Sequence, residues 1–289
     1  MALDPNLARR TWRTLEPIHG LIYFAPEAGE EYEALGLPPG MGGYFASRAA
    51  AMGAVPASVV VATFYNFFPP FVAETIPSAW TVASPAAVVA ARYRAADRAL
   101  RARLGDELAS SPGVEEAAAL ARRAAESATR WPEGRPLFAG HASLPWPDDP
   151  LLVLWHAQTL LREFRGDGHI AAMAAEGVGG VEALILHGAT GDVPPATLRS
   201  SRRWPRDEWA AGEERLRSRG WLAADGSLTE AGRAHRQWVE DRTDARAAPA
   251  YEVLGEEGCE RLRTLGRPLS KAIVAAPGGF GFPDPPASS

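Results

Sequence analysis

Residues 200–238 read SSRRWPRDEWAAGEERLRSRGWLAADGSLTEAGRAHRQW. Pro205 lies at the expected first turn of a helix, Asp207 and Glu208 follow it, and Gly220 stands at the far end. These are the start and stop signals of an α-helix. Beyond it, Asp225-Gly226 is a dipeptide that closes tight hairpins between short extended pieces. Thr229 then caps a further helix, because a threonine hydroxyl accepts an otherwise free amide of the first turn. The order is thus a helix, a short extended loop from Ala223 to Ser227 and a capped helix.

Upstream, Leu151, Leu154, Leu161 and Phe164 recur at helical spacing, so an amphipathic helix is expected to run to Gly166. Asp167, between two glycines, is expected to cap a second helix with Ile170 and Met173 on its inner face. A third helix starts near Gly180, with Val181, Leu184 and Ile185 turned inward. Ser111-Pro112 opens another at about 113–130. Five prolines within 131–150 predict a stiff linker.

The order helix, RSRGWL, hairpin, LTEAGRA resembles the multiple-antibiotic-resistance regulator (MarR) family of winged-helix proteins. The acidic helix and the final amphipathic helix downstream extend that resemblance over about 180–274. The chain as a whole also resembles an actinobacterial group of helix-turn-helix proteins. Gly43-Tyr44-Phe45-Ala46-Ser47-Arg48 can be laid beside Gly168-His169-Ile170-Ala171-Ala172-Met173, and His19 then falls opposite His156. The expected fold is mainly α with short β wings. It is a tandem winged-helix chain whose two related halves form an internal pseudo-dimer. The expected units are residues 1–131, a linker at 132–150, and 151–289.

The 289 residues carry a net charge of −5, which argues against a surface built throughout for nucleic acid or anionic membrane. Nearly all basic residues are arginine, Lys271 being the one lysine, so arginine number by itself carries no function. Cys259 stands alone, which leaves no disulfide framework and fits a reducing cytoplasm. The apolar run 54–72 is interrupted by Pro56, Asn66 and Pro69-Pro70, so it is expected to be buried rather than to cross a membrane.

The resemblance to regulators implies DNA contact, for which Arg199, Arg202, Arg203 and Arg206 are the phosphate candidates. Against it, Asp207, Glu208, Glu213 and Glu214 offset the arginines of the expected recognition helix. The segment 86–104, with Arg92, Arg94, Arg98, Arg101 and Arg103, is more basic.

No nucleophile elbow, phosphate loop or dinucleotide fingerprint is visible, and GGFGFPDPP at 278–286 has no helix after it. The histidines lack the spacing of a helical zinc site, so no metal or cofactor is expected. His19, His156, His169 and His187 can still serve as polar contacts, and Arg162 and Arg165 lie three apart on one helical face. With Tyr44, Arg48 and Asn66 in an aromatic-rich first half, they are the candidate lining of a pocket between the halves. Such a pocket suits a small aromatic or anionic molecule. The expected protein is a ligand-responsive regulator, a monomer with an internal pseudo-dimer or a homodimer. The alternative is an enzyme or sequestering protein without DNA binding, with His169 or His156 as acid/base.

Overall fold

The computed structural model describes residues 3–277, so the glycine- and proline-rich tail at 278–286 lies outside the described residues. The first half contains α1 (Pro5–Gly20), α2 (Pro26–Glu33), α3 (Met41–Ala49), α4 (Ala57–Phe64), α5 (Pro69–Ala73), α6 (Ala79–Val82), α7 (Pro85–Ala109) and α8 (Pro112–Ala128). It continues through α9 (Pro136–Ala142), α10 (Pro150–Ala175), α11 (Gly180–Gly188), α12 (Pro195–Ser201), α13 (Arg206–Ser218), α14 (Glu230–Tyr251) and α15 (Gly255–Ala275). Many of these helices open on a proline, whose fixed φ and missing N–H suit the first helical turn.

Among the described residues two hydrophobic cores form. The larger draws on α1, α3, α7, α8, the first half of α10 and α15. Its centre is tight because α8 turns Ala117, Ala121, Ala124 and Ala128 inward, and small side chains let the neighbouring helix approach closely. The smaller core joins Val181, Leu184 and Ile185 of α11 to Leu198 of α12, Trp209 and Leu216 of α13, and Leu222 and Leu228. Residues before 165 and after 247 share the large core, so the hydrophobic division does not follow the expected boundary at 132–150.

Three expectations need correction. The segment 132–150 is not merely a linker, since α9 lies within it and buries Leu137, Phe138 and His141. The helix expected to stop at Gly166 runs unbroken to Ala175. Asp167 therefore caps no helix of its own. Its Oδ2 instead accepts the amide of Phe138 at 3.0 Å, in the first turn of α9, where amides lack intrahelical partners. The expected β wings are reduced, among the described residues, to a single antiparallel bridge, Leu222 with Leu228. Ala223 N donates to the Ser227 carbonyl at 2.8 Å inside it, but a loop this short supports no strand.

The caps around that hairpin form as expected, with the Thr229 hydroxyl accepting the Gly232 amide at 3.0 Å. In the first half, the unit from Met41 to Met52 meets α4 at 95°, and α10 meets α11 at 102°. The similarity stops there, because no bridge follows in the first half among the described residues and α7 runs on as a long helix to a kink at Gly105. The run 54–72 folds as α4 and α5 around an irregular turn. Among the described residues no single helix is long and apolar enough to cross a membrane.

Candidate functional site

The second half of α10 leaves the large core and runs toward the small one, and a cavity of about 450 Å³ opens where the two cores meet. Its walls come from α1 (Trp12), α3 (Tyr44, Arg48), the end of α4 with residues 65–67, α10, α11, α12 and α14. This volume falls in the range of small-molecule sites. Seven residues singled out from the sequence line it together: Tyr44, Arg48, Asn66, Arg162, Arg165, His169 and His187.

Two do not. His19 is fully buried in the large core, its ring nitrogens 2.9 Å from Thr159 Oγ1 and 2.9 Å from the Tyr23 hydroxyl. His156 is held by the Tyr93 hydroxyl at 2.7 Å and packs edge-on against Trp146. Both are core histidines that burial keeps neutral, His156 being pushed down to about 4 by burial and by the charge of Arg122. Sequence reading passed over Arg202, Arg236, Glu240 and Trp12 as cavity residues. The first had been assigned outward, and the others sit on helices whose facing is settled only by tertiary packing.

Most of the positive charge in the wall is already matched. Arg48 donates to both oxygens of Glu163, at 3.3 and 3.0 Å, and Arg162 donates to Glu163 at 3.0 Å and to Glu16 at 2.9 Å. Burial would raise the Glu163 carboxyl, but these two guanidiniums outweigh it and hold the group far below the usual carboxylate range. Arg165 donates to Asp244 at 2.6 Å and Glu240 at 3.2 Å, and Arg9 approaches the same two acids.

Arg202 is different. Its Nε is buried without a hydrogen-bond partner, its Nη1 donates only to Ser201 Oγ at 3.2 Å, and its guanidinium lies 4.5 Å from the Phe67 ring centre. Burial lowers its basicity, Tyr44 works against that, and the charge of Arg48 adds to it. Burial raises the Tyr44 phenol, yet Arg48, Arg202 and Arg162 outweigh it and bring the group below its ordinary value. His169 Nδ1 lies 2.9 Å from Thr243 Oγ1, and burial lowers the basicity of both His169 and His187. The cavity thus joins aromatic walls to a surplus of positive charge, an arrangement that attracts an anion with an apolar body.

The same residues hold the two cores together. α12, the turn 202–205 and α13 form a helix, turn and helix beside α11. Trp204 Nε1 donates to the Asn66 carbonyl at 2.8 Å, and Phe68 N donates to the Arg202 carbonyl at 3.1 Å.

A family model described as a helix-turn-helix family matches residues 8–280. The chain belongs to that helix-turn-helix family. No curated protein and no solved structure matches it.

In this helix-turn-helix protein the arginines in the last turn of the second helix are engaged. Arg215 donates to Glu182 at 2.6 Å, Arg217 to Glu213 at 3.0 Å, and Arg219 to the carbonyls of Gly177 and Glu176. Of the four phosphate candidates, Arg202 faces the cavity instead of outward, and Arg203 is paired with Glu74 at 2.6 Å. Arg199 and the exposed Arg206 are left. The basic segment 86–104 does not offer free charge either. Arg92 is buried, Arg94 and Arg98 pair with Glu31, Arg101 with Asp97 and Asp149, and Arg103 with Glu27. Among the described residues no three metal-ligating side chains come together.

Proposed function

We propose that this protein is a small-molecule-responsive regulator, with a winged-helix unit of the MarR kind, that takes an anionic or aromatic ligand in the cavity between its two cores. One observation carries the reading: the wall shared by both cores combines aromatic rings with Arg202, a half-buried cation whose Nε is buried and unpartnered and which no carboxylate matches among the described residues. A ligand there touches the turn of the helix-turn-helix directly. It shifts the protein only to the extent that it binds one arrangement of the two cores more tightly than another. Arg199 and Arg206 are the remaining phosphate contacts, and action on DNA would place the protein in the cytoplasm. The matching bends at α4 and α11 favour two halves of common origin acting as an internal pseudo-dimer, so that a monomer suffices.

A second reading has its own support. Asp207, Glu208 and Glu214 are exposed on α13 while Arg215 and Arg217 are engaged, an arrangement poorly suited to phosphate. The protein would then sequester or transform its ligand without binding DNA, with His169 as the acid/base in the cavity.

Binding of the purified protein to its own upstream DNA across a salt series separates the two. A regulator gives sequence-dependent affinity that falls steeply with salt, whereas absence of binding at low salt removes the regulatory reading.

A further inference from the structure

The turn between α12 and α13 is tied to a strained segment. Tyr65 adopts φ 62° and ψ −54°, and Asn66 N donates to the Phe64 carbonyl at 2.7 Å. This is a γ-turn of the rare positive-φ kind, which a non-glycine residue adopts only where its surroundings impose it. Arg203, in the turn itself, also has positive φ, at 55°. Three contacts impose the conformation: the Tyr65 hydroxyl donates to the Val178 carbonyl, Trp204 Nε1 to Asn66 O, and Phe68 N to Arg202 O.

Arg202 thus contributes its carbonyl to this junction and its side chain to the cavity. Elsewhere in the wall each guanidinium beside an acid is charge-matched: Arg48 and Arg162 by Glu163 and Glu16, Arg165 and Arg9 by Asp244 and Glu240. Arg236 still feels Glu240 and Asp192. Tyr44, a neutral phenol when protonated, is the group that offsets the charge of Arg202 from within the cavity. Arg202 is therefore a cation without a carboxylate partner among the described residues, with an idle donor and its guanidinium beside the ring of Phe67.

We propose that Arg202 is the anion receptor of the cavity, taking the single carboxylate of an aromatic organic acid, and that the bound acid fixes the helix-turn-helix turn against residues 65–68. This rests on the cavity being a ligand site. The aromatic body lies along Phe64, Phe67, Leu184 and Leu198. A charged donor that gains a carboxylate in a low-dielectric wall gains a short, strong hydrogen bond. Because the same residue anchors Phe68, the gain is transmitted to the turn.

The test uses the full chain with 2-naphthoate, its neutral amide 2-naphthamide, and bromide. Expected are a rise in melting temperature with naphthoate at least threefold larger than with naphthamide, and a bromide ion in contact with Arg202 in soaked crystals. Amide exchange in peptides covering 64–68 and 199–205 slows with naphthoate. Arg202→Gln abolishes the difference between acid and amide, and Arg199→Gln preserves it. Should Arg202→Gln fail to fold, the bromide position and the acid–amide difference in the wild type still decide. Equal shifts from acid and amide, or bromide in the cavity away from Arg202, overturn the assignment while leaving the cavity a site for neutral ligands. No shift from either compound together with no bromide in the cavity overturns both the assignment and the ligand-site reading. A retained acid preference without slowed exchange overturns the coupling alone.

Discussion

Asp167 Oδ2 accepts the Phe138 amide at 3.0 Å, so a carboxylate in the middle of α10 caps the start of α9. Burial pushes the Asp167 carboxyl up to about 6, only partly offset by that amide. Asp167→Ala removes the acceptor and leaves a buried amide unmatched, at a cost of about 1–3 kcal/mol. Asp167→Asn keeps an acceptor oxygen and is expected to stay within about 1 kcal/mol of the wild type at pH 7.5. Chemical denaturation of both variants checks this. Equal losses would remove the capping role.

The pH dependence has opposing parts. His141 is pushed down to about 3, and His156 to about 4, chiefly by burial. A histidine held below its unfolded value stabilises the fold fully above pH ~6.5 and loses that contribution as pH falls toward its folded value. Each is expected to cost about 3 kcal/mol by pH 4. Asp167, raised to about 6, acts in the other direction: the fold gains as pH drops from about 6 toward 3.8. The histidines win, and urea unfolding at pH 7.5, 5.5 and 4 should show falling stability. His156→Gln should flatten that fall, and an unchanged slope would contradict the assignment.

Glu163 is 1% exposed and serves two arginines. Glu163→Gln leaves Arg48 and Arg162 short of a counter-charge and is expected to destabilise by about 3–5 kcal/mol, as breaking a buried pair does. The same change makes the cavity more positive, so the melting-temperature rise given by 2-naphthoate should grow even as the starting value falls.

Gly180 opens α11 against residues 65–66, and a Cβ there would overlap the Tyr65 carbonyl. Alanine is the better helix former, so local propensity predicts a gain, whereas packing predicts a loss of about 1–3 kcal/mol. Gly180→Ala should lower the melting temperature and speed amide exchange across 64–68. A stabilised protein would show that this junction is loose.

The helix-turn-helix region was readable because its signals are local: Pro205 and Gly220 bound α13, and Thr229 caps α14. The cavity residues were readable as chemistry, since Tyr44, Arg48, Arg162, Arg165 and His169 are polar groups set among apolar ones. What failed was tertiary. Gly166-Asp167-Gly168 reads as a helix break, yet the helix continues because α9 satisfies Asp167 and the bare face of Gly168 admits the Arg135 guanidinium, which donates to the Phe164 carbonyl at 2.7 Å. The inward turn of Arg202 follows from the anchor between its carbonyl and Phe68, 134 residues earlier, and no spacing within the chain announces it.

Native mass spectrometry of the freshly purified protein tests the central claim most directly. A bound organic acid, released on denaturation and absent from Arg202→Gln, is the predicted result. The bare chain mass from wild-type protein, before and after incubation with a cell extract, would contradict it.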